Sequence, residues 1–231
     1  MVQKKKKGKN FIIGLTIAAV LPLTLYFIMR LVSDGSLIIP DTYHYEEIIP
    51  ITTDDGNIEY DTIFHKIDNI QLTNQLGREV NLNQQLKSKI WVLSFFHTNC
   101  AICDETTELV NKVQKSFIHK NPDLVHFISF AEEGDSIDDI ETIREYGDKF
   151  KADHDRWWFL TGEREEISRI AVEELGIDTS KKIKNHNHIH QIILVDTFRN
   201  IRGYYNGQEL VEGKNISDDI VILNMEKRKN K

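Results

Sequence analysis

The chain reads as an α/β domain, a central sheet covered by helices on both faces, set behind an apolar N-terminal helix. Three observations carry that reading. Short runs of β-branched and aromatic residues alternate with longer segments whose apolar residues recur at helical spacing. One such run, Ile90 to Phe96, leads into Cys100 and Cys103, the only two cysteines among the 231 residues. Phe11 to Met29 is almost wholly apolar and follows a Lys-rich start.

Residues 1–10 form a basic head, and residues 11–32 are long enough to cross a bilayer, which needs roughly 20 apolar residues. The Lys cluster predicts that the head stays in the cytoplasm and the rest lies on the far side. The apolar run is longer than a usual signal-peptide core, and Arg30-Leu-Val-Ser-Asp34 contains no small-x-small cleavage site. It therefore reads as an uncleaved transmembrane anchor. Pro22 would kink such a helix without excluding it. Residues 33–62, with Gly35, Pro40, Pro50 and Gly56, read as a linker with weak strand content, leaving 63–231 as the domain.

Within the domain, Ile67 to Leu72 and Arg78 to Leu82 flank Asn74-Gln-Leu-Gly77 and predict an N-terminal β-hairpin. Ile90 to Phe96 is a buried central strand. Thr106 to Phe117 places Leu109, Val110, Val113 and Phe117 at helical spacing. Leu124 to Phe130 is a second buried strand. Ser136 with Asp139 predicts a capping box that opens a helix running through Phe150. Trp157 to Leu160 is a short strand. Thr161-Gly162 then opens a helix with Ile167, Ile170, Ala171 and Leu175 on one face and Gly176 at its end. Gln191 to Asp196 and Ile201 to Tyr205 form a hairpin across residues 197–200. Ser217 is expected to cap the last helix, with Asp218 and Asp219 in its first turn. A thioredoxin-like domain fits this order best.

Charge narrows the function. Residues 1–32 hold six basic residues and no acidic ones, leaving 23 basic against 36 acidic residues, a net −13, for the remainder. So acidic a domain does not bind nucleic acid; it suits a cationic protein partner or metal cations. An exported thiol pair also meets an oxidising compartment, so it needs a reductant or a metal.

Cys100 and Cys103 stand where a strand runs into a helix, beside Thr98, Asn99 and Asp104. The unpaired N–H groups and dipole of a helix N-terminus stabilise a thiolate there. A disulfide across so short a loop restricts little chain entropy and would be a poor staple. The pair can instead cycle between dithiol and disulfide or clamp a soft metal. A second cluster, His186, His188 and His190, alternates just before a strand and shares one face if extended. Two thiolates and an imidazole suit Cu(I), Cu(II) or zinc; the plain alternative is a solvated loop. His97, three residues before Cys100, either approaches a metal or tunes a thiolate there or, as strand alternation favours, points into the core. His119, His126 and His154 read as surface or loop residues, and Trp157 and Trp158 as core and site lining. Asn215-Ile-Ser217 reads as a helix start rather than a glycosylation site. The acidic clusters at 132–141 and 163–174 read as solvated helix faces.

Four stretches together resemble one family: Phe95-Phe-His-Thr-Asn-Cys-Ala-Ile-Cys103, Arg156-Trp-Trp-Phe-Leu-Thr-Gly162, His188 six residues before Leu194-Val-Asp196, and Ile201-Arg-Gly-Tyr-Tyr-Asn-Gly207. Over residues 60–225 the chain is similar to the Sco/SenC family, membrane-anchored thioredoxin-fold copper proteins of cytochrome c oxidase assembly. The resemblance implies a copper ion, Cu(I) or Cu(II), held by Cys100, Cys103 and His188. It also implies that Cys100 and Cys103 act as a redox dithiol. The implied partners are the copper-site subunit of a terminal cytochrome c oxidase and a thiol reductant. The implied location is a bacterial inner membrane, crossed once, with the domain on the periplasmic side. By the family's spacing the ligand is His188, not His186 or His190. The family pattern is normally Cys-x-x-x-Cys followed by proline, whereas here it is Cys-x-x-Cys followed by Asp104. The shorter spacing also suits a membrane-tethered thiol–disulfide oxidoreductase, with Cys100 attacking and Cys103 resolving. Against that, thioredoxins place a cis-proline opposite the cysteines, and none of Pro22, Pro40, Pro50 or Pro122 lies near residues 184–190.

Overall fold

The structure, a computed structural model, describes residues 8–33, 39–52, 55–118, 121–132, 140–178 and 189–229. The chain divides into two units, Met1–Ile38 and Ile39–Lys231. The first contains helix α1 (Gly8–Ser33), with Pro22 inside it. Its apolar side chains, among them Phe11, Leu15, Leu21 and Phe27, are exposed. Counted over the described residues alone, no helix is long and apolar enough to cross a membrane.

The second unit opens with an antiparallel ribbon of β1 (Tyr45–Thr52) and β2 (Ile58–Phe64), a sheet of its own. The expected linker thus contains a regular hairpin. The main sheet comprises β3 (Gln71–Asn74), β4 (Glu79–Asn81), β5 (Ile90–Phe96), β6 (Val125–Ala131), β7 (Trp157–Thr161), β8 (Gln191–Val195) and β9 (Ile201–Asn206) in the order β4-β3-β7-β6-β5-β8-β9. β5, β6 and β7 run parallel; the remaining pairings are antiparallel. The helices are α2 (Leu82–Gln85), α3 (Ala101–Phe117), α4 (Ile140–Lys149), α5 (Arg164–Arg169), which continues into a π-helical turn at Ile170–Glu174, and α6 (Glu212–Lys229).

Every residue of β5 and β6 is buried, because parallel strands at a sheet's centre are covered on both sides. Alternation sorts them into two cores. Trp91, Leu93, Phe95, Ile128 and Phe130 pack with Ile167, Ile170 and Leu175. Val92, Phe96 and Phe127 pack on the other face with Leu109, Val110 and Val113 of α3 and Ile216 and Ile220 of α6. Three polar side chains inside this layer satisfy one another: Ser129 Oγ lies 2.7 Å from Ser94 Oγ and accepts from Trp157 Nε1 at 2.9 Å.

The hairpin expected at 67–82 is β3–β4, and Asn74 builds its turn by accepting from the Leu76 and Arg78 N–H groups at 3.0 Å. Gln75, fully buried, points its amide at β7. It donates to the Trp157 carbonyl and accepts from the Phe159 N–H, both at 2.9 Å, and so extends the short β3–β7 pairing. Gln75→Met leaves both backbone groups unpaired inside the fold. At about 1–3 kcal/mol each, it is expected to lower stability by about 2–6 kcal/mol, read as a shift in urea midpoint.

Two expectations are corrected. The last helix begins at Glu212, and Ser217 lies within it, its hydroxyl donating to the Gly213 carbonyl at 2.7 Å instead of capping. In its first turn Gly213 lets the helix come close to α3: a Cβ there would stand 2.8 Å from Leu109 Cδ1. The acidic cluster at 163–174 is not wholly solvated, since Glu174 is buried. It accepts from the Asp68 N–H at 2.8 Å and from Arg169 at 2.9 Å, and faces His65 Nε2 at 3.2 Å. The Ser136 cap lies outside the described residues.

His65 also meets Glu46 of the ribbon at 2.7 Å, so one imidazole joins the ribbon to the π-helical turn. Burial by itself would lower its pKa, but Glu46 and Glu174 outweigh burial and raise it above 6.5. A raised histidine pKa stabilises the fold fully below the unfolded value and loses that contribution as pH climbs through the folded value. The stability advantage of wild type over His65→Gln is therefore expected to shrink as pH rises from below 6.5 to mildly alkaline, measured by denaturant midpoints at each pH.

Candidate functional site

The site is built at the C-terminal end of β5. The strand ends at Phe96 and the chain turns through residues 97–99, where the His97 carbonyl accepts from the Cys100 N–H at 3.3 Å and His97 Nδ1 accepts from the Asn99 N–H at 3.1 Å. Cys100 is extended, with φ −119° and ψ 104°, and is the N-cap of α3. Its Sγ accepts from the Cys103 N–H at 3.1 Å, the role a serine or aspartate oxygen ordinarily fills. Cys100 and Cys103 form a disulfide with Cα atoms 5.2 Å apart. Cys103 is buried, while Cys100 remains partly open to solvent. The reduced Cys100 sulfur would face a helix N–H and the positive end of the dipole, which favours its thiolate.

Asp104 follows Cys103 directly and is tied to α4. Its Oδ2 pairs with Lys149 Nζ of α4 at 2.6 Å. One turn on, the Thr107 hydroxyl lies 2.9 Å from Tyr146 Oη, and the Tyr146 ring stacks on Phe96 with centroids 5.0 Å apart. Burial, with Asp104 adding to it, raises the phenol's pKa, so Tyr146 stays neutral and α4 is held against the cysteine-bearing turn.

The start of β8 is fixed beside the same turn. Glu132 follows β6, and its N–H donates to the Phe96 carbonyl at 3.0 Å while its Oε1 accepts from the Ile189 N–H at 2.8 Å. The His190 carbonyl accepts from the Gly207 N–H at 2.7 Å. A Cβ at Gly207 would fall 2.5 Å from Thr106 Cγ2 and 2.6 Å from the His190 oxygen, so only glycine fits between β8 and α3. The His190 carbonyl therefore lies close to Thr106, about one turn of α3 after Cys103. His188, the expected third ligand, lies outside the described residues, as do His186 and His119. Among the described residues no group of three or more His, Cys, Asp or Glu side chains is arranged to hold a metal ion.

The remaining histidines divide. His190 is buried, and His97 is half-buried just past β5 rather than in the core. His154 is a loop residue, bridging Gln75 and Asp148 at 2.8 Å each. His126, expected at the surface, sits within β6, 1% exposed and edge-on to Trp158 with centroids 4.3 Å apart. Burial first, then Lys89 and Arg156, pushes its pKa down to about 3, so it is a neutral core residue at the opposite end of β6 from the cysteine turn. It was hidden because an imidazole inside a strand buried on both faces leaves no polar alternation to read. Trp157 is core, and Trp158 packs at the core's edge. Glu132 and Gly207 hold the site together; Gly207 closes the Ile201–Gly207 stretch quoted above, whereas no local pattern singles out Glu132.

A family model described as SCO1/SenC matches residues 64–222. Among solved structures, the chain is similar to a SCO1/SenC family lipoprotein from Bacillus anthracis at 26% identity and TM-score 0.60, over 69% of this chain and 95% of that one. It shares its fold with BsSco, a member of the Sco family of cytochrome c oxidase assembly proteins described as having a disulfide switch. That match has 23% identity and TM-score 0.60, over 78% and 98% of the two chains. It also shares its fold with Arabidopsis thaliana ScoI solved with copper bound, at 18% identity and TM-score 0.55, over 69% and 98%. No curated protein matches.

Proposed function

This chain belongs to the SCO1/SenC family, and from that premise we propose that it carries copper as cargo on Cys100, Cys103 and His188 for the copper site of a terminal cytochrome c oxidase. One observation carries the reading: Cys100 Sγ sits at the N-cap of α3, hydrogen-bonded to the helix and adjoining the sulfur of Cys103. Two thiolates so placed select a soft ion such as Cu(I) over hard cations. Support for the third ligand comes from the Glu132 bond to Ile189, which anchors the residue after His188 near the same turn. The relatives agree in kind, since Arabidopsis ScoI was solved with copper and BsSco belongs to an oxidase-assembly family.

Cargo can enter only after the disulfide opens. A reductant's thiolate attacks the more exposed Cys100 sulfur and releases the Cys103 thiolate, giving a mixed disulfide. The reductant's second thiol then displaces Cys100 and leaves as a disulfide, having supplied two electrons and two protons. The same asymmetry, one reachable sulfur and one buried, favours a second reading in which the pair exchanges disulfides with client proteins and takes no metal. In either case the apolar run of α1 behind its Lys head serves as a single anchor in a bacterial inner membrane. The domain then works on the periplasmic side.

The test is Cu(I) titration of the reduced full chain against a competing chelator, for wild type and for His188→Ala. Wild type is expected to bind one Cu(I), and the variant to lose more than the roughly 10–100-fold that disturbing an outer-shell partner costs. Absence of Cu(I) binding, with sustained reduction of a protein disulfide, would establish the second reading instead.

A further inference from the structure

The β1–β2 ribbon has two unlike faces. Opposed residues of an antiparallel pair share a side, and the register sets Ile48 against Thr62, Pro50 against Tyr60 and Thr52 against Ile58. That side carries no charge. Ile48, Ile58 and Tyr60 on it are 54%, 66% and 74% exposed. The other side pairs Glu47 with Ile63, Ile49 with Asp61 and Ile51 with Glu59, so it carries the three acidic groups of these pairs. A row of exposed isoleucine and tyrosine with the carboxylates turned away is a surface built to meet something apolar.

We propose that the uncharged face of this ribbon rests on a lipid surface, that of the membrane holding the anchor; the inference relies on α1 being that anchor. Chain continuity argues for lipid. Arg202 binds the Pro40 carbonyl at 2.6 Å and the Asp41 carbonyl at 3.3 Å, so the folded domain begins by Pro40. The stretch from Ser33 to Pro40 reaches no more than about 25 Å even when fully extended. A surface tethered that closely needs little intrinsic affinity, because the tether supplies a high effective concentration. The patch is also too small for a stable protein interface, which takes roughly 20–30 residues a side. Its chemistry suits the headgroup–acyl boundary: isoleucines for the acyl edge, a tyrosine for the interfacial belt, and no charge to desolvate.

The experiment uses the full chain, its Cys100–Cys103 disulfide intact, in phospholipid nanodiscs. Ile58→Cys, Glu59→Cys, Tyr60→Cys and Asp61→Cys each carry one environment-sensitive fluorophore, and quenchers are placed on the lipid tails. Labels at 58 and 60 are expected to sit roughly 5–10 Å into the boundary and lose most of their emission, while labels at 59 and 61 lose none. Adding Tyr60→Asp to the Ile58→Cys protein should restore that label's emission. Four labels equally unquenched, or labels at 58 and 60 shielded only as the protein load per disc increases, would overturn the proposal, the latter in favour of self-association. Failure of the chain to enter the discs would sink the anchor and this inference together, whereas entry with every label in water removes lipid docking alone. Copper titration is independent of all these outcomes.

Discussion

Cys103→Ser is expected to remove the disulfide and cut Cu(I) affinity by far more than the roughly 100-fold that losing an outer-shell partner costs, because it deletes one of only two soft ligands. The fold should survive. The side chain is a small buried group, and the N-cap contact comes from Cys100 Sγ to the backbone N–H of residue 103, which serine retains. The paired variant separates the two sulfurs. With Cys103→Ser, the remaining Cys100 is partly exposed at a helix N-terminus and should be alkylated quickly; with Cys100→Ser, the buried Cys103 should react slowly in the native state. Equal alkylation rates, or full copper affinity in either variant, would contradict the assignment of rim and interior sulfurs. Mass spectrometry of timed alkylation and chelator competition supply both readings.

The largest expected loss of stability belongs to Arg202→Leu, about 3–5 kcal/mol, the cost of breaking a buried ion pair from one side. Arg202 is 7% exposed. Its Nη1 donates to Asp196 Oδ2 at 3.0 Å and Glu226 Oε2 at 3.1 Å, and Nη2 donates to the Pro40 carbonyl at 2.6 Å. It therefore joins the β8–β9 turn, α6 and the start of the domain. Leucine would leave the Asp196 carboxylate buried without its cation. Asp196 Oδ1 would still accept from the Phe198 and Asn200 N–H groups, so the turn itself should persist. The exposed Lys214–Asp218 pair makes the control, where no comparable change is expected on removing Lys214. A urea midpoint for Arg202→Leu within experimental error of wild type would mean that these contacts contribute nothing net.

What could be read from the chain follows the range of the forces involved. β5 and β6 were legible because strands buried on both faces are near-continuous apolar runs, and α3 because its core side repeats every three to four residues. The cysteine turn was legible from the same local grammar. Ser217 misled because a serine within a helix and one at its start differ only in the partner of the hydroxyl, and here the carbonyl of Gly213 won. The ribbon has the sequence of a weak linker, because Pro50 and the acidic residues of one face interrupt its apolar pattern. Glu132 and Ile189, which hold the site's far side, lie 57 residues apart, and Gln75 reaches Trp157 across 82. Such pairings arise only once the sheet has brought distant segments together, and single-chain periodicity carries no trace of them.

The connection between β9 and α6 is short, and its residues Gln208 to Val211 are exposed, the setting in which proteins best tolerate inserted sequence. Gly207 bounds that tolerance. With the His190 carbonyl on one side and Thr106 on the other, an insertion has to leave Gly207 itself in place, because a side chain there would push α3, and the cysteines at its start, away from β8.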